Sequence, residues 1–553
     1  MKTRSGMALG FALLAAACAS PQIRVEPAEG CAGVVGEVPA SAIGIPSGKA
    51  TVLSAVLVPA SPLAMPPSAP LQPALPQHCR VLGEIAPIDP KAPPIRFQLN
   101  LPTEWNGRAV QYGGGGYNGV LITGTALAPA GPPDRPAPLA RGYVTYGTDS
   151  GHQNSPGVRL QAFTLNDEAL VNFAHASQKK VRDVAVTLIE RRYGKKPERL
   201  YYIGSSQGGR EGLTMAQRYP ADFDGVFSRV PVISFVGLQH ADTRNGLALM
   251  GAGWIGPAQV RLVHDAVLAA CDAADGIADG LVADYAGCAR RFDVTKLRCS
   301  GSMSPDQCLS DAQVKAVQLL HSSYTFGFDL ANGVRSYPGR LYGGEATPGN
   351  FPVGGYRAWF SGDSPPVLPP APDNGRAWQY SGGGVQYLYA RDPNYDLRAY
   401  DANKFRARVQ QMSALLDSTN PDLAEFRSRG GKLIVLEHTG DYAQSAQAGF
   451  QYYQSVVEKM GQAPVNDFMR LYVAPGVDHV GTGAPANVDL LGVLAAWVER
   501  GEMPEDLEVA QHDRAPPFAV TRSLPLCRWP SYPHYVGGDR NRAAGFECRK
   551  TAD

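Results

Sequence analysis

Short alternations of apolar and polar residues recur along the chain, and stretches of helical spacing follow them. IRFQLNLP (95–102), RAVQYGG (108–114) and GYVTYGTDSG (142–151) read as successive strands. VNFAHASQKKVRDVAVTLIERRYG (171–194) repeats its apolar residues at helical spacing. LYYIGSSQGG (200–209) is a strand running into a tight turn, and REGLTMAQRYP (210–220) continues it as a helix. The same units return at GGKLIVLEHTGD (430–441) and FMRLYVAPGVDHV (468–480), ahead of the helix VDLLGVLAAWVERG (488–501). This order predicts a mainly parallel α/β sheet. Between residues 232 and 419 the pattern changes: four cysteines, an acidic loop and the Pro-rich DSPPVLPPAPDNG interrupt it. The expectation is a lid domain over 232–419, dividing a catalytic domain into 19–231 and 420–553. Residues 19–95, with LVPASPLAMPPSAPLQPALPQ at their middle, read as an N-terminal arm of the first part.

Composition narrows the partners. Charged residues are 18% of the 553, below the roughly 25% of ordinary soluble domains, and 61 Gly with 46 Pro predict many turns and long loops. Lys and Arg number 51 against 50 Asp and Glu, with no basic block, so nucleic acid is a poor partner for this chain. The first 18 residues, MKTRSGMALGFALLAAAC, have the basic start, apolar run and small residues of an export signal. Cys18 stands where a lipoprotein signal peptidase would cut, so a secreted, a periplasmic and a lipid-anchored outer-membrane protein all remain open. No later apolar stretch reaches the roughly 20 residues of a membrane span.

Without Cys18 there are eight cysteines, an even number for a chain bound to an oxidising compartment. Closeness in sequence favours Cys271 with Cys288, Cys299 with Cys308 and Cys527 with Cys548, leaving Cys31 with Cys79. Zinc is the competing reading, but no CxxC occurs and few His lie nearby.

Gly204-Ser205-Ser206-Gln207-Gly208 is a G-x-S-x-G on a strand-to-helix turn, where small neighbours hold the Ser206 hydroxyl out over the sheet. A nucleophilic serine needs a base oriented by an acid. The α/β-hydrolase order of Ser, Asp, His is met by Asp441 after KLIVLEHTG and His479 after RLYVAPGVD, both at carboxyl ends of predicted strands. His438 is the rival base. Gly113 to Gly116, in QYGGGGYNG, follow an early strand and let the backbone approach a substrate oxygen. One of their N–H groups, with that of Gln207 at a helix start, would form an oxyanion hole. A phosphate loop is the alternative, but neither a Walker Lys-Ser/Thr nor dinucleotide spacing follows.

A second signal is CDAADGIADGLVADYAGC (271–288). Asp272, Asp275 and Asp279 project three carboxylates, Gly276 and Gly280 let the chain wrap, and the carbonyls of Ile277 and Leu281 complete an oxygen set for calcium. The spacing is not that of an EF-hand, because Ala283 stands where Glu would close the loop. The site would be structural.

Taken together, YYIGSSQGGREG, CDAADGIADG, GGKLIVLEHTGD, APGVDH, VLAAWVERGEMPEDL and the tail LPLCRWPSYPHYVGGDRNRAAGFEC resemble the tannase and feruloyl esterase family, over nearly everything after residue 30. Within it, the layout is particularly like that of bacterial hydrolases of terephthalate monoesters. The resemblance implies an α/β-hydrolase fold with a large inserted lid. It implies Ser206, Asp441 and His479 as the triad, Gly116 and Gln207 as oxyanion donors, Trp359 (in YRAWFSG) at the pocket, and calcium on Asp272, Asp275, Ile277, Asp279 and Leu281. Two departures stand out. The family's cysteines before the nucleophile and after the catalytic His are here Ser205 and Val480. The lid segment 362–384 lacks the terephthalate enzyme's aromatic and Arg arrangement, and Gln444 falls near its clamping Phe.

The expected activity is therefore that of a secreted serine carboxylic-ester hydrolase for small aromatic acid esters, working through an acyl-enzyme. The alternatives are hydrolysis of a terephthalate monoester, an aliphatic esterase or amidase, and a non-catalytic binding protein. Trp254, Trp359 and Trp378 are candidates to stack on an aromatic acyl group, though some must form the lid's own core. Arg357 or Arg376 could meet a substrate carboxylate. The expectation is a preference for uncharged alkyl esters of hydroxylated benzoic or cinnamic acids.

Overall fold

The computed structural model describes residues 23–24, 27–66, 70–347 and 354–551. The export segment 1–18, and Cys18 with it, lies outside the described residues. Twelve strands form the main sheet: β1 (Gly36–Val38), β2 (Ala50–Val58), β3 (His78–Ile85), β4 (Ile95–Pro102), β5 (Arg108–Tyr112), β6 (Val144–Thr148), β7 (Arg199–Ser205), β8 (Gly225–Arg229), β9 (Lys432–His438), β10 (Met469–Ala474), β11 (Leu507–His512) and β12 (Val520–Arg528). Their order across the sheet is β11-β12-β10-β9-β8-β7-β5-β6-β4-β3-β2-β1.

Only the centre is parallel: β10, β9, β8, β7, β5 and β6. Antiparallel strands extend it on both sides. This corrects the mainly parallel sheet, and it corrects the N-terminal arm, which joins the sheet as β1 to β3. The Pro-rich stretch is the connection of the β2–β3 pair, with bridges Ser61 to Leu75 and Ala64 to Gln72. Cys31–Cys79 fastens this edge.

The central strands are buried on both faces and read as unbroken apolar runs for that reason. Alternate residues of β9 show it. Leu433 and Val435 pack in one cluster with Val184 and Leu188 of helix α1 (Ser177–Tyr193), while Ile434 and Leu436 pack in another with Leu491, Leu494 and Trp497. Helix α2 (Gln207–Arg218) follows β7 directly. The predicted helix 171–194 contains one π turn, Asn172–Ala176, ahead of α1.

β8 and β9 are hydrogen-bonded neighbours, so everything between Arg229 and Lys432 leaves the sheet and returns. This insertion is mainly helical and carries two apolar clusters largely of its own residues. Its seat on the sheet includes Arg210 of α2, fully buried, whose Nη1 donates to the carbonyls of Ala174 at 3.0 Å and Leu416 at 2.9 Å. The disulfides are the four expected: Cys31–Cys79, Cys271–Cys288, Cys299–Cys308 and Cys527–Cys548. Among the described residues no helix is long and apolar enough to cross a membrane.

Candidate active site

Ser206 stands between β7 and α2 with φ +60° and ψ −122°, a conformation side chains rarely adopt. The glycines around it are required by close approach. A Cβ on Gly204 would lie 2.2 Å from the Gly208 carbonyl oxygen, and one on Gly208 would lie 2.7 Å from that of Gly114. The motif therefore lets α2 and the tetraglycine loop close in around the serine.

Asp441 and His479 follow β9 and β10, so the three residues gather at the carboxyl end of the parallel centre. Nδ1 of His479 donates to Oδ2 of Asp441 at 2.8 Å. Oδ1 of Asp441 accepts the N–H groups of Ala443 at 2.7 Å and Gln444 at 3.0 Å. Burial alone would raise this carboxyl. The attraction and hydrogen bond of His479, with the Gln444 N–H, outweigh burial and hold it below the usual carboxylate value. Asp478 fixes the histidine loop from within, accepting from the N–H groups of Val480, Gly481 and Thr482 through Oδ1 and from the Thr482 hydroxyl through Oδ2. His438, the rival base, is fully buried and donates from Nδ1 to the Asp478 carbonyl at 2.7 Å. Burial first, and then the charge of Arg229, push it down to about 3. It does not line the cavity that holds Ser206 and His479.

That cavity has a volume of about 480 Å³. The sheet side supplies Gly114 to Gly116, Ser205, Ser206, Arg229, His479 and Val480, and the insertion supplies Trp359, Arg376 and Tyr380. A small apolar recess runs on from it past Gly116, Ser206 and Gln207. In the tetraglycine loop the N–H of Gly113 goes to the Ile203 carbonyl at 2.9 Å, and that of Gly114 to Glu211 Oε2 at 3.0 Å. Gly116 has φ +59° and borders the recess opposite the start of α2, where Gln207 sits. Glu211, fully buried on α2, also accepts from Asn118 Nδ2 at 2.6 Å and the Tyr202 hydroxyl at 3.0 Å, and so holds this loop against the helix.

The insertion's tryptophans divide. The Trp359 ring centroid is 6.4 Å from that of His479 and 5.6 Å from that of Tyr380. Trp378 is fully buried in the insertion's core, its Nε1 donating to the Val367 carbonyl at 2.9 Å, and Trp254 Nε1 donates to the Ser361 carbonyl at 2.9 Å. Only Trp359 of the three faces the cavity. Arg376 lines it too, whereas Arg357 lines an adjoining groove and pairs with Asp363 at 3.0 Å. Gln444 points away from the cavity, behind Asp441, donating from Nε2 to Glu437 Oε2 at 2.9 Å. Sequence reasoning missed Arg229, Tyr380, Tyr442 and Glu211. The GGREG spacing, which places Glu211 one turn after Gln207, was a usable sign for the last of these.

In the acidic loop, Gly276 and Gly280 have φ of +98° and +84°, as the expected wrapping requires. Asp272 Oδ1 accepts the N–H groups of Asp279 at 3.0 Å and Gly280 at 3.1 Å. Asp275 accepts from Ile277 at 3.3 Å and Ala283 at 3.1 Å, and Asp279 pairs with Arg522. Burial, with the charges of Asp279 and Asp272 behind it, pushes Asp275 up to about 7. Among the described residues no three His, Cys, Asp or Glu side chains converge closely enough to hold a metal as they stand. These carboxylates are turned onto the loop's own N–H groups.

Comparison with known proteins places the whole chain rather than its single residues. The family model described as tannase and feruloyl esterase matches residues 79–549. An uncharacterized esterase of Agrobacterium fabrum is 36% identical over 98% of this chain and 96% of its own. Mono(2-hydroxyethyl) terephthalate hydrolase of Piscinibacter sakaiensis is 31% identical over 86% of this chain and 85% of its own. The solved structure of feruloyl esterase B from Aspergillus oryzae superposes with a TM-score of 0.76 over 94% of this chain and all of that one, at 23% identity, and so shares the α/β-hydrolase fold.

Proposed function

The chain belongs to the tannase and feruloyl esterase family and is a carboxylic-ester hydrolase, and from that premise we propose that it cleaves esters of small aromatic acids through an acyl-enzyme on Ser206. The observation that carries this reading is His479, held by buried Asp441 and sharing one aromatic-walled cavity with Ser206. Ser206 Oγ attacks the ester carbonyl while His479 Nε2 takes its proton. The N–H groups of Gly116 and Gln207 hold the oxyanion, with the start of α2 favouring negative charge. His479 then gives the proton to the leaving alkoxide, and water, activated by the same imidazole, releases the acid. Trp359, Tyr380 and Tyr442 offer flat faces to an aromatic acyl group, and the insertion serves as the lid that carries recognition.

A second reading, a terephthalate monoester as substrate, is favoured by one observation: among the described residues Arg229 and Arg376 line the cavity and no Asp or Glu does. Kinetics on methyl ferulate, methyl gallate and mono(2-hydroxyethyl) terephthalate separate the two. The first reading predicts the higher kcat/KM on a methyl ester. A terephthalate value tenfold above both, about 1.4 kcal/mol of transition-state preference, makes the second reading the right one. Turnover of none of the three, with hydrolysis of aliphatic esters or amides, would overturn both.

Export to an oxidising compartment belongs to the same proposal, supported by four disulfides in one chain. So does structural calcium at the acidic loop. The donors fit a hard cation, being oxygens only, and Asp275 lies buried beside two like charges of which, among the described residues, only Asp279 has a cationic side chain bonded to it. Asp272, Asp275 and Asp279, with the carbonyls of Ile277 and Leu281, would hold the ion, which supplies charge balance to the loop and no step of the reaction.

A further inference from the structure

Arg229 ends β8 beside the nucleophile, and it is bonded to two different catalytic loops. Its carbonyl accepts the N–H of Ser206 at 2.9 Å. Its Nη2 donates to the carbonyl of His479 at 3.0 Å. It is in register with Ser205, and Ser205, Arg229, His479 and Val480 all line the catalytic cavity. Gly481, at φ +94°, makes room for the guanidinium: a Cβ there would stand 3.3 Å from Arg229 Nη1.

The surrounding charges do not account for an arginine at this position. Asp441 and Asp478 act on Arg229 through space. Asp441 is engaged by His479 and Asp478 by its own loop, and Arg229 Nε is buried with no partner among the described residues. Placing a guanidinium here without a bonded carboxylate costs desolvation, so the group must be retained for what it holds. What it holds is the main chain of the base. Ser205 and Val480, the neighbours of nucleophile and base, carry no thiols, so the cavity wall has no covalent link at that place.

We propose that Arg229 is a positioning residue that ties the His479 loop to the Ser206 elbow, through one main-chain and one side-chain hydrogen bond. This rests on the triad reading. The tie sets the separation of nucleophile and base, and a misplacement of about 1 Å at such a pair costs about a hundredfold in rate.

The test compares Arg229→Met with Arg229→Lys, whose ammonium can still donate to the His479 carbonyl. Steady-state kinetics use a neutral p-nitrophenyl ester, and the rate of Ser206 modification is read with a small neutral fluorophosphonate. Arg229→Met should lower kcat by about 10- to 100-fold with KM within about threefold, slow the labelling by a similar factor, and be largely rescued in Arg229→Lys. If Arg229→Met loses its native circular dichroism, Arg229→Gln, too short for the carbonyl, carries the same expectations. A kcat within threefold and unchanged labelling overturn the proposal. So does a rise in KM confined to carboxylate-bearing esters, which would make Arg229 an anion subsite. Failure of the triad reading is distinct, since it would appear as turnover in Ser206→Ala.

Discussion

Asp441 and Asp275 are both buried aspartates on loops, and their surroundings are opposite. Asp441 has the His479 imidazole at 2.8 Å and two backbone N–H groups on its other oxygen, and its carboxyl stays below the ordinary value. Asp275 has two N–H groups but faces Asp272 and Asp279, and its carboxyl is pushed up. Burial pushes both carboxyls up; at Asp441 the His479 imidazole and the N–H groups outweigh it, while at Asp275 the neighbouring carboxylates add to it. Asp441 has its partner, the His479 imidazole, within the protein. On the calcium proposal, the acidic loop takes its partner from solution.

The largest effects should come from the catalytic side of this contrast. Ser206→Ala and His479→Ala should each lower kcat by about 10⁴-fold or more, and Asp441→Asn by about 10⁴-fold through the wrong imidazole tautomer. Circular dichroism should show the native fold in all three. His438→Gln is the control and should keep kcat within about threefold, since His438 only braces the Asp478 carbonyl. A kcat lost in His438→Gln and kept in His479→Ala would reverse the assignment of the base.

The acidic loop should respond in stability. A hundredfold excess of free calcium over its Kd should stabilise the native state by about 2.7 kcal/mol, read as a higher Tm that a chelator reverses. Asp275→Asn should abolish that shift and leave kcat on a small ester nearly unchanged. An identical Tm with calcium and with chelator, and no metal by elemental analysis, would end the calcium proposal.

Much of this contrast was legible in the sequence. The strand at 95–102 has its predicted bounds, and G-x-S-x-G, Asp441 and His479 fall at the ends of predicted strands because buried parallel strands leave an unmistakable apolar run. β8 was missed: Gly225–Arg229 is short and ends in Ser228 and Arg229, and with it went the residue that bonds the Ser206 and His479 loops together. The antiparallel edges were hidden by prolines, which mark turns without telling which strands they join. The three insertion tryptophans look alike in sequence. Their roles separate only through tertiary neighbours, as Trp378 closes a core and Trp359 faces His479. Gln444 likewise carries no sign of its place in the sequence around it. Its position behind Asp441 follows from the turn after β9 and not from its residue type.

The smallest expected effect concerns the two cysteine-free positions. Ser205→Cys with Val480→Cys should form a disulfide but stabilise by less than about 2 kcal/mol, under the range of native bridges, because Arg229 already links the two loops. A larger gain in Tm would mean that the hydrogen-bonded tie is slack, and persistent free thiols would mean that the loops stand too far apart.

Covalent capture of the nucleophile tests the central claim most directly. The protein is treated with a fluorophosphonate, digested, and the modified residue located by mass spectrometry. The account predicts one adduct, on Ser206, forming at least about a thousandfold more slowly in His479→Ala and accompanied by complete loss of ester hydrolysis. Hydrolysis that survives full modification of Ser206, or an adduct on another serine that tracks the loss of activity, would contradict it.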